Sequence, residues 1–208
     1  MDLGVRELRV PATFEEYLAF SQDCDYRVHY REGHIISFIE IDEKTNAIMG
    51  EASYDHEALV MQIGKLLADI LDKETGEKYQ VLGSNLRLFI ADNKKGCNAD
   101  VTVVQGVPEE KEYKFNRRTV KGLVNPWLVV EILSDSTRDF DLSEKLSDYK
   151  SIPSLQQIIF LEQDRIWAST YIRISEREWR NLDLVGPEEE IPVVERGIGL
   201  EAVYRGIV

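Results

Sequence analysis

Residues 125–151 read NPWLVVEILSDSTRDFDLSEKLSDYKS, and the fold turns on how this stretch is read. From Trp127 to Leu133 the chain is apolar except at Glu131. A short, nearly unbroken apolar run is the pattern of a strand buried on both faces. The segment FDLSEKLSDYKSI that follows reads as a helix, with Leu142, Leu146 and Tyr149 on its apolar face. Asp141 and Glu144 are expected at its cap, and Pro153 marks its end. A buried strand feeding an amphipathic helix is the unit of a layered α/β domain.

Glu131 stands out within that strand. A carboxylate inside an apolar run is costly unless it is paired or holds a cation. A structural ion pair and a metal ligand are therefore both open readings. Lys145 lies four residues before Tyr149, so the two share one helix face. Its bland reading is a solvated position on an amphipathic helix. Asp100 opens the β-rich run DVTVV after the polar turn KKGCNA, and is either a turn residue or a ligand. Two carboxylates from neighbouring strands can hold a hard cation such as Mg²⁺ through oxygen. A nearby lysine can position water and offset charge developing on a phosphate. Asp100, Glu131 and Lys145 thus have the composition of a metal-assisted phosphodiester hydrolase.

Upstream, TFEEYLAFSQ reads as a helix with Thr13 and Glu16 in a capping-box pattern. YRVHYREGHIISFIEI alternates around Glu32-Gly33 and reads as a hairpin or two short strands. In SYDHEALVMQIGKLLADILDKETG, Leu59, Ile63, Leu66, Leu67, Ile70 and Leu71 recur at helical spacing, with Gly76 as a natural stop. YQVLGSNLRLFI and CNADVTVV carry strand patterns, and QQIIFLEQ, STYIRIS and the Gly- and Pro-punctuated tail add more strands. The mixed order of helices and strands fits one α/β (α+β) domain over residues 1–208, built on a central mixed sheet flanked by helices.

The chain has 208 residues, 43% of them hydrophobic, enough for a sizeable core. No apolar run approaches a membrane span, and the acidic start lacks the apolar centre of a signal peptide, so a cytoplasmic protein is expected. Cys24 and Cys97 read as isolated thiols. The formal net charge of −13 excludes a passive nucleic-acid coat, because such binding comes from Lys and Arg neutralising phosphates. The segment KEYKFNRRTVK is the local exception. Lys114, Arg117 and Arg118 there are candidate phosphate contacts, against the bland reading of a solvated hairpin loop.

Taken in order, TFEEYLAF, YREGHI, DHEALVMQIGKLL, NADVTVV and WLVVEILSDSTRDFDLSEKLSDY resemble the Uma-type putative restriction endonucleases, over about residues 11–174. That family belongs to the PD-(D/E)XK nuclease superfamily. The resemblance implies a restriction-endonuclease-like core, DNA as substrate, Mg²⁺ or Mn²⁺ as cofactor, and a homodimer. It places Asp100 and Glu131 as metal ligands and Lys145 as the catalytic lysine, with Tyr149 as a helper or packing residue. Several positions depart from the pattern. Ala99 replaces a proline before Asp100, and Asp135 replaces the proline after the Ser of VEILS. Leu133 stands where the parent superfamily has its lysine, two residues after the acid and on the same strand face. His29 aligns with an acid usual in the family, which alters the ligand set toward transition metals, and His34 stands where Glu is common. His56 matches a frequent family histidine, as a site contact or a helix cap. The sequence thus leads to a metal-dependent endonuclease. A nuclease-fold interaction module without catalysis, or action on RNA, remains open.

Overall fold

The computed structural model describes residues 5–24, 27–41, 48–49, 53–73, 78–90, 94–115 and 118–208. The stretch at 128–133 is β11 of the fold, and all six of its residues are buried. Its neighbours define the architecture. β8 (Val101–Gln105) runs antiparallel to β11 (Leu128–Leu133), and β12 (Gln157–Glu162) runs parallel to it. β13 (Trp167–Arg173) and β14 (Trp179–Val185) extend one side, and β5 (Tyr79–Leu82) the other. The result is a six-stranded mixed sheet in the order β14-β13-β12-β11-β8-β5.

A second sheet comes mainly from the first half of the chain. Its order is β1 (Val5–Pro11), β3 (His34–Ile41), β2 (His29–Arg31), β7 (Lys95–Asn98), β6 (Arg87–Ile90), β10 (Arg118–Leu123) and β9 (Glu110–Phe115), with β4 (Ile48–Met49) on β3. The β2–β3 turn is the expected one: Glu32 and Gly33 take φ of 50° and 77°, the positive values a tight two-residue hairpin needs. The runs 79–90 and 97–104 each carry a strand pattern, but each divides between the two sheets. The chain leaves one sheet at Asn98 and enters the other at Val101. Ala99 and Asp100 form that corner.

Three apolar clusters hold the layers. On one face of the six-stranded sheet, Val101, Val103, Val130 and Ile132 meet Leu59, Ile63, Leu67 and Leu71 of α2 (Tyr54–Leu71). The same cluster takes in the hairpin β15 (Glu190–Val193) and β16 (Arg196–Gly199), and the short α5 (Leu200–Val203). The opposite face presents Val129, Leu133 and Phe160 to Leu146, Tyr149 and Ile152, and to Leu88 and Leu123 of the second sheet. α1 (Phe14–Asp23) covers the second sheet through Phe14, Tyr17 and Leu18. Its cap is the expected capping box of Thr13 and Glu16. α2 ends at Leu71, five residues before the expected stop; Gly76 lies outside the described residues.

The helix after β11 departs from expectation at its start. It begins after Thr137, so Asp141 and Glu144 do not cap it. A short α3 (Arg138–Phe140) leads into a π-helical turn (Asp141–Lys145), which continues as α4 (Leu146–Lys150). In an α-helix, positions four apart drift by about 40° around the axis. The wider π turn opposes that drift. It keeps Asp141, Lys145 and Tyr149 turned together toward the sheet, where all three are buried.

Candidate functional site

Two carboxylates meet where the sheets join. The Asp100 amide donates to the Val130 carbonyl at 3.1 Å, continuing the β8–β11 ladder by one residue. That register sets Asp100 beside Glu131 on the neighbouring strand. Both are 2% exposed. Like charges side by side on adjacent strands repel, so the pair persists only where cations and donors answer it.

Asp100 is held from three directions. The Ile132 amide donates to its Oδ2 at 2.8 Å, and His56 Nε2 lies 3.3 Å from the same oxygen. Arg27 Nη1 donates to Oδ1 at 2.6 Å. Burial alone would raise the Asp100 carboxyl, but His56, Lys145 and Arg27 outweigh it and hold its pKa well below the usual carboxylate range. His56 itself feels burial first, yet its bond to Asp100 wins and raises it. The open question over His56 resolves here. Ser53 caps α2 by accepting the His56 amide at 3.1 Å, while the His56 imidazole points at Asp100.

Glu131 is answered by the helix. Lys145 Nζ lies 2.8 Å from Oε2, and the Tyr149 hydroxyl donates to Oε1. Lys145 is not a solvated face residue: its side chain is 6% exposed, with Asp141 Oδ1 at 3.2 Å. Burial pushes the Glu131 carboxyl up to about 8, and the nearby Asp100 and Asp141 charges add to that against the pull of Lys145. Burial works against the Lys145 ammonium, but Asp141, Glu131 and Asp100 together overcome it and lift its pKa above the usual lysine range. Lys145 is therefore a permanent cation. Tyr149, buried beside Glu131, stays a neutral phenol.

His29 also reaches this centre. Its ring packs on Phe140 at 5.1 Å between centroids, and its buried Nδ1 has no hydrogen-bond partner among the described residues. Burial, then the charges of Lys145 and Arg27, hold its pKa well below the usual histidine value, so it is a neutral imidazole. Leu133 lies in the apolar cluster with Leu146 and Tyr149, as its position on the strand predicts.

Asp100, Glu131, Lys145, Tyr149, His29 and His56 are thus gathered at one centre. The basic segment is a β9–β10 hairpin in the other sheet. Lys114 on it is exposed. Arg118 pairs with Asp23 at 2.7 Å, and Lys121 pairs with Glu112 at 2.8 Å. Arg117 lies outside the described residues. Two residues of the centre, Asp141 and Arg27, are not among the site residues expected from the sequence. Asp141 had a legible signal, its position four residues before Lys145. Arg27 had none, since its partner is 73 residues away.

Comparison with known proteins places this arrangement. The family model Uma2, described as putative restriction endonuclease, matches residues 14–202. The chain belongs to that family. Two Synechocystis proteins without an assigned activity are similar to it. One, sll1609, is 31% identical over 156 residues, covering 72% of this chain and 83% of that protein. The other, slr1290, is 23% identical over 194 residues, covering 93% and 91%. Among solved structures, a putative nuclease belonging to DUF820 from Anabaena variabilis superposes with a TM-score of 0.63 at 15% identity. That match covers 95% of this chain and all of the other, and it shows the shared fold. No helix among the described residues is long and apolar enough to cross a membrane.

The donor set can be weighed against a metal ion. Among the described residues no group of three or more His, Cys, Asp or Glu side chains converges as a ligand set. Two adjacent buried carboxylates do fit a hard divalent ion that keeps several waters and shares a phosphate oxygen. Burial is the main cause of the high Glu131 pKa, with the Asp100 and Asp141 charges adding to it.

Proposed function

We propose that this chain is a Mg²⁺- or Mn²⁺-dependent endonuclease that hydrolyses DNA phosphodiester bonds. The observation that carries the reading is the pair Asp100 and Glu131, buried side by side on adjacent strands with the charged Lys145 at 2.8 Å from Glu131. Membership of a family of putative restriction endonucleases supports it.

Asp100 and Glu131 would hold the divalent ion. The chemistry such an ion supplies is neutralisation of phosphate charge and a more acidic attacking water. The remaining work falls to the protein. Lys145 cannot take a proton, because it never gives one up in the working pH range. It acts as a fixed donor that orients the water and stabilises negative charge as the bond to phosphorus changes hands. Asp141 and Tyr149 fix the partners: Asp141 anchors Nζ, and the Tyr149 hydroxyl fixes the Glu131 carboxylate. At His29 the centre has a neutral imidazole, a nitrogen donor that suits Mn²⁺.

A second reading rests on one observation: each carboxylate already has a protein cation, Arg27 on Asp100 and Lys145 on Glu131. A centre balanced in this way would suit a nuclease-fold interaction module that needs no metal. Plasmid cleavage separates the two. Supercoiled DNA with Mg²⁺ or Mn²⁺ is expected to be nicked by the wild type, and not by Asp100→Ala or Lys145→Ala. Cleavage surviving either substitution removes this site from the reaction. Absence of both cleavage and Asp100-dependent metal binding favours the module.

A further inference from the structure

The two oxygens of Asp100 are used differently. Oδ2 is occupied by fixed groups: the Ile132 amide in the sheet at 2.8 Å, and His56 on the first turn of α2 at 3.3 Å. Oδ1 accepts from Arg27. The Asp100 side chain is 3% exposed, whereas that of Arg27 is 39% exposed. Arg27 therefore reaches in from the mouth of the site, and its guanidinium has five donors of which this contact uses one.

We propose that Arg27 is a displaceable counter-ion: a divalent cation takes Asp100 Oδ1 from it, and the released guanidinium then binds the substrate phosphodiester. This rests on the reading of Asp100 as a metal ligand. Two cations cannot share one oxygen without strong repulsion in a poorly solvated site. A planar guanidinium freed at the mouth can pair bidentately with the two non-bridging oxygens of a phosphodiester. Arg27 thus couples the two binding events. It weakens metal binding when no substrate is present and strengthens DNA binding once the metal is in place. No bond is made or broken in the exchange.

The test is Mn²⁺ binding to the full chain, by calorimetry and by electron paramagnetic resonance of free Mn²⁺, in wild type, Arg27→Met, Arg27→Lys and the same proteins carrying Asp100→Asn. Arg27→Met is expected to bind Mn²⁺ about ten-fold tighter or more, as removal of a like charge from beside a cation requires. Arg27→Lys keeps the charge and is expected to stay near the wild type, and Asp100→Asn is expected to abolish the site in every background. With Mn²⁺ saturating, fluorescence anisotropy of a duplex oligonucleotide is expected to show weaker binding for Arg27→Met than for wild type. Circular dichroism establishes that the variants are folded, and Arg27→Gln replaces Arg27→Met if the latter is not. Asp100-dependent Mn²⁺ binding that Arg27→Met leaves unchanged or weakens overturns the proposal and leaves the metal reading standing. Tighter Mn²⁺ binding with unchanged oligonucleotide affinity overturns the exchange. No Asp100-dependent binding in any background removes the metal reading and this proposal with it.

Discussion

Replacing Glu131 by glutamine should make the metal-free protein more stable at alkaline pH while destroying its proposed activity. The Glu131 carboxyl is buried and its pKa lies at about 8, against an ordinary value of 4.5. A carboxyl raised in this way keeps its proton in the folded state after the unfolded chain has released it. Folded stability is therefore full below pH 4.5 and falls as pH rises through the window from 4.5 to about 8. One proton bound to the folded state alone gives a slope of up to about 1.4 kcal/mol per pH unit, and a total of about 5 kcal/mol across that window. Glutamine has the same shape and no such proton. Its amide oxygen can accept from Lys145, and its NH₂ can donate to the Tyr149 hydroxyl, which turns to accept. Lys145 keeps Asp141 as counter-ion at 3.2 Å. The assay is urea unfolding in EDTA from pH 5 to pH 9 for both proteins. The wild type should lose stability toward pH 8 relative to Glu131→Gln, with the curves parallel above it. General repulsion from the net charge of −13 acts on both and cancels in the difference. Parallel curves throughout would refute the argument, because they would mean that burial of this carboxylate is fully compensated by Lys145.

Two further substitutions test the frame that positions the site. Thr13→Ala removes one arm of the α1 capping box, the Thr13 hydroxyl at 3.2 Å from the Glu16 amide, and leaves the backbone amide that donates to the Glu16 carboxylate at 2.7 Å. A loss of about 1 kcal/mol is expected in thermal melts, with Mn²⁺ affinity unchanged because α1 packs on the second sheet. A changed affinity would show that α1 communicates with the centre. Gly122→Ala would drive a methyl group into the buried ring of Phe89. Overpacking of this kind costs about 1–3 kcal/mol; a urea midpoint equal to the wild type would mean that the ring gives way freely.

Several parts of this architecture are legible in the chain. The run at 128–133 is buried at every position, as its unbroken apolar character requires. Glu32-Gly33 turns the hairpin with both φ values positive. The Thr13–Glu16 box caps α1. What the chain does not display is partnership between strands. The strand pattern at 79–90 and 97–104 says which side chains share a face, and nothing about which sheet receives each half. The corner at Ala99-Asp100 exists because the two halves pair elsewhere, and that corner is what delivers Asp100 to Glu131. Asp141 was placed at a helix cap because acidic residues favour helix starts. The helix in fact begins at Arg138, which frees Asp141 to face Lys145 across a π turn. Arg27 was invisible because an ion pair across 73 residues leaves no local pattern.

The charge of the centre orders the binding events it would support. Above about pH 8, where Glu131 has released its proton, Asp100, Glu131 and Asp141 face Arg27 and Lys145, three negative groups against two positive. A phosphodiester approaching such a centre, on a chain already at −13, is repelled. Addition of a divalent ion reverses the local sign and leaves one positive charge in excess, which is what a single phosphodiester can neutralise. Nucleic acid should then bind after the metal and weakly without it. The same count explains why an acidic protein needs no extended basic surface to reach DNA: the attraction is confined to the place where the ion sits, and the rest of the surface limits contacts elsewhere.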